Sequence, residues 1–142
     1  MKNNREMLTS MVKTTRMGQT GIRAVLQCPL EPGLQAALSQ QLRSYDDLED
    51  RAQALADSRN WALRKPDPRL QHMIEKMTRL KIPRKNRTTK VADMLIQGNT
   101  QGMISSLRDL HQYCGCDQAV AELNQKLIDC EIQNIQQMKP FL

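Results

Sequence analysis

The chain has few aromatic residues and few of the residues that favour β-strands. Its 142 residues include only four aromatic side chains, at Tyr45, Trp61, Tyr113 and Phe141. Residues that favour helices, such as Leu, Met, Gln, Ala and Arg, are abundant instead. This composition predicts an all-α protein. The length suits one domain with a core of its own, so we expect residues 1–142 to form a single domain.

Long hydrophobic runs are also absent. No apolar stretch approaches the ~20 residues that a membrane-spanning helix needs. The first ten residues, MKNNREMLTS, lack the apolar segment of a signal peptide. We therefore expect a cytoplasmic protein, with no membrane partner. In that compartment we expect reduced thiols rather than disulfides at Cys28, Cys114, Cys116 and Cys130.

The sequence lacks the usual patterns of metal and catalytic sites. A di-iron bundle needs Glu-x-x-His pairs, because residues three apart project to one side of a helix. No such pair occurs, and His72-Met-Ile-Glu75 has the reversed order. Cys114-Gly-Cys116 has one residue fewer between its cysteines than the C-x-x-C of structural zinc sites. We expect no catalytic residue, no metal and no cofactor.

Methionine is the remaining candidate for metal binding, because soft thioether ligands favour Cu(I). Most of the methionines fall on apolar faces of predicted helices, where methionine is an ordinary packing residue. These are Met7, Met11, Met73, Met77, Met94 and Met138. We therefore expect packing roles, and a degenerate metal-binding or oxidoreductase bundle stays an alternative.

Apolar residues recur at helical spacing in four long segments. The segments are bounded by Asn3 and Gln27, Leu34 and Trp61, Thr88 and Tyr113, and Asp117 and Pro140. We expect an N-cap at Thr88 or Thr89 for the third segment and at Asp117 for the fourth.

A long connection, Lys65–Thr88, separates the second segment from the third. It contains a short amphipathic helix over about Leu70–Leu80, whose Met73, Ile74 and Met77 we expect to face inward. Two helix pairs joined by a long link predict a four-helix bundle with one crossover, which is the ferritin-like connectivity.

Three motifs resemble those of a known family. They are Thr15-Arg16-Met17-Gly18, Lys90-Val-Ala-Asp-Met-Leu-Ile-Gln-Gly98 and Glu131-Ile-Gln-Asn134-Ile-Gln-Gln-Met-Lys139-Pro-Phe-Leu142. Together they resemble a family of short, uncharacterised ferritin-like proteins of Clostridia-type Firmicutes, and more distantly the ferritin-like spore coat proteins. The resemblance spans nearly the whole chain. It implies a ferritin-like four-helix bundle and a connection with sporulation, but no particular activity.

Two glycines interrupt the apolar pattern of the third helix. Gly98 and Gly102 lie four residues apart, within VADMLIQGNTQGMI. A glycine inside a helix costs about 1 kcal/mol relative to alanine. We therefore expect another helix to pack very closely here, with Gly18 and Gly21 of the first helix opposite.

Polar residues at inward positions form a candidate core network. The set is Gln41, Tyr45, Gln97, Asn99, Glu131 and Asn134. Each buried polar group must find a hydrogen bond or cost roughly 1–3 kcal/mol. Two interpretations stay open: a network that fixes the register of the helices, which we favour, and a ligand pocket.

Positive charge is concentrated in one segment. Five cations occur within ten residues, at Lys81, Arg84, Lys85, Arg87 and Lys90. Such a segment could contact nucleic acid or another polyanion. No aromatic residue is interleaved for base stacking. We favour a solvated link and keep a binding module for an acidic partner as the alternative.

The sequence therefore favours a non-catalytic, metal-free structural or interaction protein. Trp61 and Leu63, near the end of the second helix, offer apolar material for self-association. Closed two-fold dimers are the commonest assemblies of soluble proteins. We therefore expect a homodimer.

Overall fold

The computed structural model describes residues 1–142 and contains five α-helices. They are α1 Asn4–Leu26, α2 Pro32–Ser58, α3 Pro68–Lys81, α4 Arg87–Gln112 and α5 Gln118–Met138. A short 3-10 turn follows at Lys139–Phe141, and the only β-type pairing is an isolated bridge between Lys2 and Tyr113. The prediction of an all-α protein is confirmed. None of the helices has the length and apolar character that crossing a membrane requires.

The starts of two helices show how local sequence sets their bounds. The Asp117 side chain accepts a hydrogen bond from the Ala119 amide, so the predicted cap of α5 is confirmed. The predicted cap of α4 is wrong, because the helix begins earlier, after Asn86 in the left-handed conformation (φ 53°). The Arg87 guanidinium donates to the Pro83 carbonyl and so ties the first turn of α4 to the preceding chain.

Contacts at one end of the bundle bring four helix termini together. The Tyr113 hydroxyl, after the end of α4, is hydrogen-bonded to Asn4, at the start of α1. Arg59, just after α2, pairs with Asp117, just before α5, at 2.9 Å. This end therefore holds the starts of α1 and α5 and the ends of α2 and α4.

The opposite end holds the other termini. Arg87 at the start of α4 donates to the carbonyl of Pro29, which precedes α2, at 2.8 Å. Gly33 at the start of α2 lies beside the ring of Phe141, just after α5. Consequently α2 and α4 run in the same direction, and residues 59–86 carry the chain back along the bundle. This agrees with the single crossover predicted from the sequence.

The core lies between the four long helices. Among its fully buried side chains are Leu8, Leu34, Leu127 and Val91, one from each long helix. Each such side chain contributes about 1.5–3 kcal/mol by leaving water. Trp61 packs against this core and is only half-exposed.

The crossover helix α3 packs mainly on α1 and has no buried residue. Its half-buried residues include Leu70, Ile74 and Thr78, which are four residues apart and form a narrow stripe, with Gln71 and Glu75 beside it. Met73 and Met77 are 53% and 48% exposed, so the expectation that they face inward is wrong. A helix with one main neighbour partly buries only a single stripe of residues. Of the three residues expected to face inward, only Ile74 lies on this stripe.

Candidate functional site

A cavity of about 630 Å³ lies between α1, α3 and α4 and reaches inward to α2 and α5. Its size falls in the range of small-molecule binding sites. Much of its wall is apolar, and these residues are Met17, Ile22, Leu70, Ile74, Met94 and Leu95. Four buried polar side chains, Gln41, Tyr45, Asn99 and Glu131, line its inner end. We call these four residues the polar floor.

The Tyr45 hydroxyl is at the centre of the polar floor. It lies 2.8 Å from Asn99 Oδ1 and 2.9 Å from Glu131 Oε2. Asn134, a buried residue that does not line the cavity, adds a long contact of 3.5 Å from its Nδ2 to Asn99 Oδ1. One residue from each of α2, α4 and α5 therefore meets at a single hydroxyl group, which fixes the relative register of these helices.

The number of protons in this cluster determines the state of Glu131. Asn99 Nδ2 donates to the Leu95 carbonyl at 2.8 Å, so the oxygen of the amide faces Tyr45. The Tyr45 hydroxyl has one proton, and Asn99 Oδ1 accepts it. The 2.9 Å contact between Tyr45 and Glu131 then takes its proton from the Glu131 carboxyl. This geometry is that of a neutral Glu131.

Burial also favours the uncharged forms of the titratable groups in and beside this cluster. It raises the pKa of Glu131 to about 8, although Tyr45 would donate a hydrogen bond to the ionised carboxylate and so acts in the opposite direction. Burial, with the Glu131 charge as the next cause, also raises the pKa of Tyr45 well above its ordinary value. The same two causes raise the pKa of Cys130 to about 11. All three groups are therefore uncharged at neutral pH.

Two oxygen atoms of the polar floor have no hydrogen-bond donor. Gln41 is 1% exposed; its Nε2 donates to Gln137 Oε1 at 3.0 Å, but its Oε1 is buried without a partner. Glu131 uses Oε2 to contact Tyr45 and makes no hydrogen bond through Oε1. Leaving a buried acceptor unpaired costs roughly 1–3 kcal/mol. Both residues line the cavity, so these two oxygens belong to side chains of its wall.

The four helix glycines line this cavity but do not all have the expected role. A Cβ at Gly18 would lie 2.6 Å from Tyr45 Cζ, and one at Gly102 would lie 2.9 Å from Glu131 Oε1. At Gly21 and Gly98 a Cβ would meet no atom within 4 Å. The expected close helix packing is therefore wrong at Gly21 and Gly98, where the missing side chains leave the cavity open. At Gly18 and Gly102 the glycines accommodate side chains of the polar floor.

Five of the six predicted network residues are buried in the region where α2, α4 and α5 meet. They are Gln41, Tyr45, Asn99, Glu131 and Asn134. The sixth, Gln97, is exposed and donates to Asp93 on the outer face of α4, so its assignment to the core is wrong. The reason is its position on α4, two residues from Asn99 and therefore on a different face.

The wall of the cavity also contains a second polar cluster, around the buried Asp109, which the sequence analysis missed. Asp109 accepts from Ser10 Oγ at 2.5 Å and pairs with Lys2 at 2.9 Å. The signal was present in α4, where Asn99, Gly102 and Asp109 follow the three-and-four spacing of one helix face.

The basic segment lies outside the cavity, on the surface of the crossover. Lys81, Arg84, Lys85 and Lys90 are exposed and make no ion pair. Arg87 differs, because its guanidinium donates to two backbone carbonyls. Four of the five predicted cations are thus available to a partner.

The cysteines are spread over the molecule as free thiols. Cys114 and Cys116 lie at the end of the bundle that holds the starts of α1 and α5, whereas Cys28 follows α1 at the other end. Cys130 lies within α5. No group of three or more His, Cys, Asp or Glu side chains is arranged to hold a metal ion.

Comparison with known proteins gives this chain no relative. No protein family, no curated protein and no solved structure matches it.

Proposed function

We propose that this protein is a non-catalytic binding protein whose cavity between α1, α3 and α4 takes a small organic molecule. The observation that carries the proposal is the cavity itself, whose wall includes the buried Gln41 and Glu131, each with a side-chain oxygen that receives no hydrogen bond. The apolar wall provides contact area, and the polar floor orients the ligand, which is the usual division of roles in ligand pockets.

The test is an amide NMR titration of the full chain with three matched probes: 1-hexanol, hexylamine and hexanoate. We expect at least one probe to shift the amide signals of Gly18, Gly21, Gly98 and Gly102, because all four residues line the cavity. Gly98→Leu would fill the cavity without a clash at Cβ, so it should abolish these shifts while the fold persists. Ala36→Leu, at an exposed position of α2, is the matched control and should bind as wild type does. Unchanged glycine signals with all three probes at millimolar concentration would overturn the proposal.

We also propose that the bundle is ferritin-like, as the resemblance to the Clostridia-type family implies. Support comes from the helix order, from the parallel direction of α2 and α4, and from the crossover over residues 59–86. The proposed connection with sporulation and the cytoplasmic location rest on the sequence arguments alone.

We also propose a homodimer, but one that forms through a different surface from the one expected from the sequence. Trp61 and Leu63 are half-buried against their own core. Met73, Met77 and Leu80 are exposed instead and follow one face of α3 at a spacing of four and three. A second copy that covered this face would remove apolar surface from water. A monomer mass in light scattering at every protein concentration would contradict the dimer.

A binding module for a polyanion is the second candidate function. It is favoured by the exposed Lys81, Arg84, Lys85 and Lys90, which have no acidic partner in the chain. Release of counterions would make such binding strongly dependent on salt. Salt-dependent retention on heparin, reduced when Arg84 and Lys85 are changed to Gln, would support it. Equal elution of the wild type and the variant would contradict it.

A further inference from the structure

We propose that the ligand is a small organic molecule with an ammonium group, and that the ammonium group replaces the proton of Glu131 when it binds. This inference rests on the proposed function and adds the chemical class of the ligand. The assignment of an ammonium group depends on which atoms of the polar floor already make hydrogen bonds within the protein and which do not.

Each amide nitrogen of the polar floor already makes one hydrogen bond, whereas two oxygen acceptors make none. Gln41 Nε2 donates to Gln137, and Asn99 Nδ2 donates to Leu95. Gln41 Oε1 and Glu131 Oε1 receive no hydrogen bond. An ammonium group has three donors and no acceptor. It matches this set, whereas a carboxylate would bring a further acceptor and no donor.

No side-chain cation competes for Glu131. Its nearest titratable neighbours are Tyr45 on α2 and Cys130 beside it on α5, and both are neutral. Asp109 of α4 also lines the cavity, but it already pairs with Lys2, which precedes α1. The stripe of α3 that lines the cavity is uncharged.

Lys13 of α1 is the remaining charged residue that lines the cavity. It is exposed at the outer side of the wall. Gly18, which contacts Tyr45, lies five residues further along α1, or about 7.5 Å at 1.5 Å per residue. Lys13 is therefore displaced along the helix from the polar floor.

The exchange of charge is balanced by one proton. An aliphatic amine has a pKa near that of lysine, about 10.4, so it enters as the ammonium ion at neutral pH. The neutral Glu131 carboxyl releases its proton to the buffer, and the carboxylate then pairs with the ammonium group. The buried site thus holds a charge pair rather than an isolated charge, which is the condition for burying either group. No covalent bond changes, and the net charge of the complex equals that of the free protein.

The experiment is calorimetric titration of the full chain with hexylamine in two buffers of different ionisation enthalpy. At pH 7 we expect the observed enthalpies to differ by an amount that corresponds to close to one released proton per bound amine. Above pH 9 this difference should disappear, because Glu131, with its pKa of about 8, is already ionised there. Hexanol, which carries no charge, should bind at least tenfold more weakly at both pH values and release no proton.

Two variants test the assignment to particular atoms. Glu131→Gln can still donate to Tyr45 through its amide, so it should stay folded but bind hexylamine at least tenfold more weakly and without proton release. Gln41→Met replaces the unpaired acceptor with an apolar chain of similar length. It should weaken amine binding while proton release persists, because Glu131 is intact. Glu122→Gln, at an exposed position of α5, is the matched control and should behave as wild type.

The outcomes separate this inference from the function on which it rests. If hexanol or hexanoate binds in the cavity as tightly as hexylamine, or more tightly, the ammonium assignment is overturned and the binding function stands. Hexylamine that binds without proton release at pH 7 overturns the role of Glu131. If none of the three probes binds, the binding function and the inference both fall.

Discussion

A buried carboxyl group without a cation is the most unusual single residue of this protein. Glu131 is 2% exposed and is held by one hydrogen bond, to the Tyr45 hydroxyl. Burying it as a carboxylate would leave a charge uncompensated, so the fold favours the protonated form. Its position in the core could be predicted, because Glu131 occupies an inward position of the helical period. Its protonation could not, because it depends on the Tyr45–Asn99 contact between distant parts of the chain.

The free energy of unfolding should therefore fall as pH rises from the pKa of Glu131 in the unfolded chain to its higher pKa in the folded protein. The folded state holds this proton up to a pKa of about 8, whereas an unfolded glutamate releases it near 4.5. Between these values the folded state binds more protons than the unfolded state, so the free energy of unfolding decreases with rising pH. The decrease attributable to Glu131 should be on the order of a few kcal/mol and should level off above pH 8.

The measurement is urea denaturation at pH 5, 7 and 9, with Glu131→Gln beside the wild type. The variant cannot ionise at this position, so its free energy of unfolding should decrease less over that range. Parallel pH profiles of the two proteins would contradict a raised pKa at this site.

At the scale of the helices, the glycines show what periodicity can and cannot predict. The apolar pattern placed Gly18, Gly21, Gly98 and Gly102 on inward faces, and all four line one cavity. The pattern could not distinguish a glycine that meets a neighbour from one that opens space. That difference depends on where α3 lies, and the exposed Met73 and Met77 show that its orientation was also predicted incorrectly. Short helices with one neighbour leave too little apolar pattern to fix their rotation.

Two alanine substitutions should therefore have opposite effects on stability. Gly98→Ala places a Cβ where no atom lies within 4 Å and restricts the unfolded chain, so it should stabilise by about 0.5–1 kcal/mol. Gly18→Ala places a Cβ 2.6 Å from the Tyr45 ring and should destabilise by on the order of 1–3 kcal/mol through overpacking, less the gain in helix propensity.

Chemical denaturation of both variants and the wild type measures this difference. The two substitutions change the same atoms in the same kind of helix, so intrinsic propensity cancels in the comparison between them. Equal effects of the two would show that Tyr45 moves away without cost.

At the scale of the whole molecule, the order of the elements could be read from the sequence because breakers separate the segments clearly. Pro29 and Pro32 mark the first turn, and the Cys114–Asp117 turn separates α4 from α5. The length of the connection between α2 and α4 implied that it crosses the bundle. The cavity itself could not be predicted, because it exists only where residues from all five helices approach one another.

The absence of any buried residue in α3 also bears on how the molecule moves. Regions with few buried contacts open locally at a lower free energy than the core, and backbone amide hydrogens exchange with solvent through such openings. We expect the amides of Pro68–Lys81 to exchange with deuterium much faster than those of α1 or α5, and at a rate that is insensitive to mild denaturant. Protection in α3 equal to that of α5 would mean that it opens only with the whole bundle. Because α3 covers one side of the cavity, this local opening also gives a route to the interior that leaves the four long helices in place.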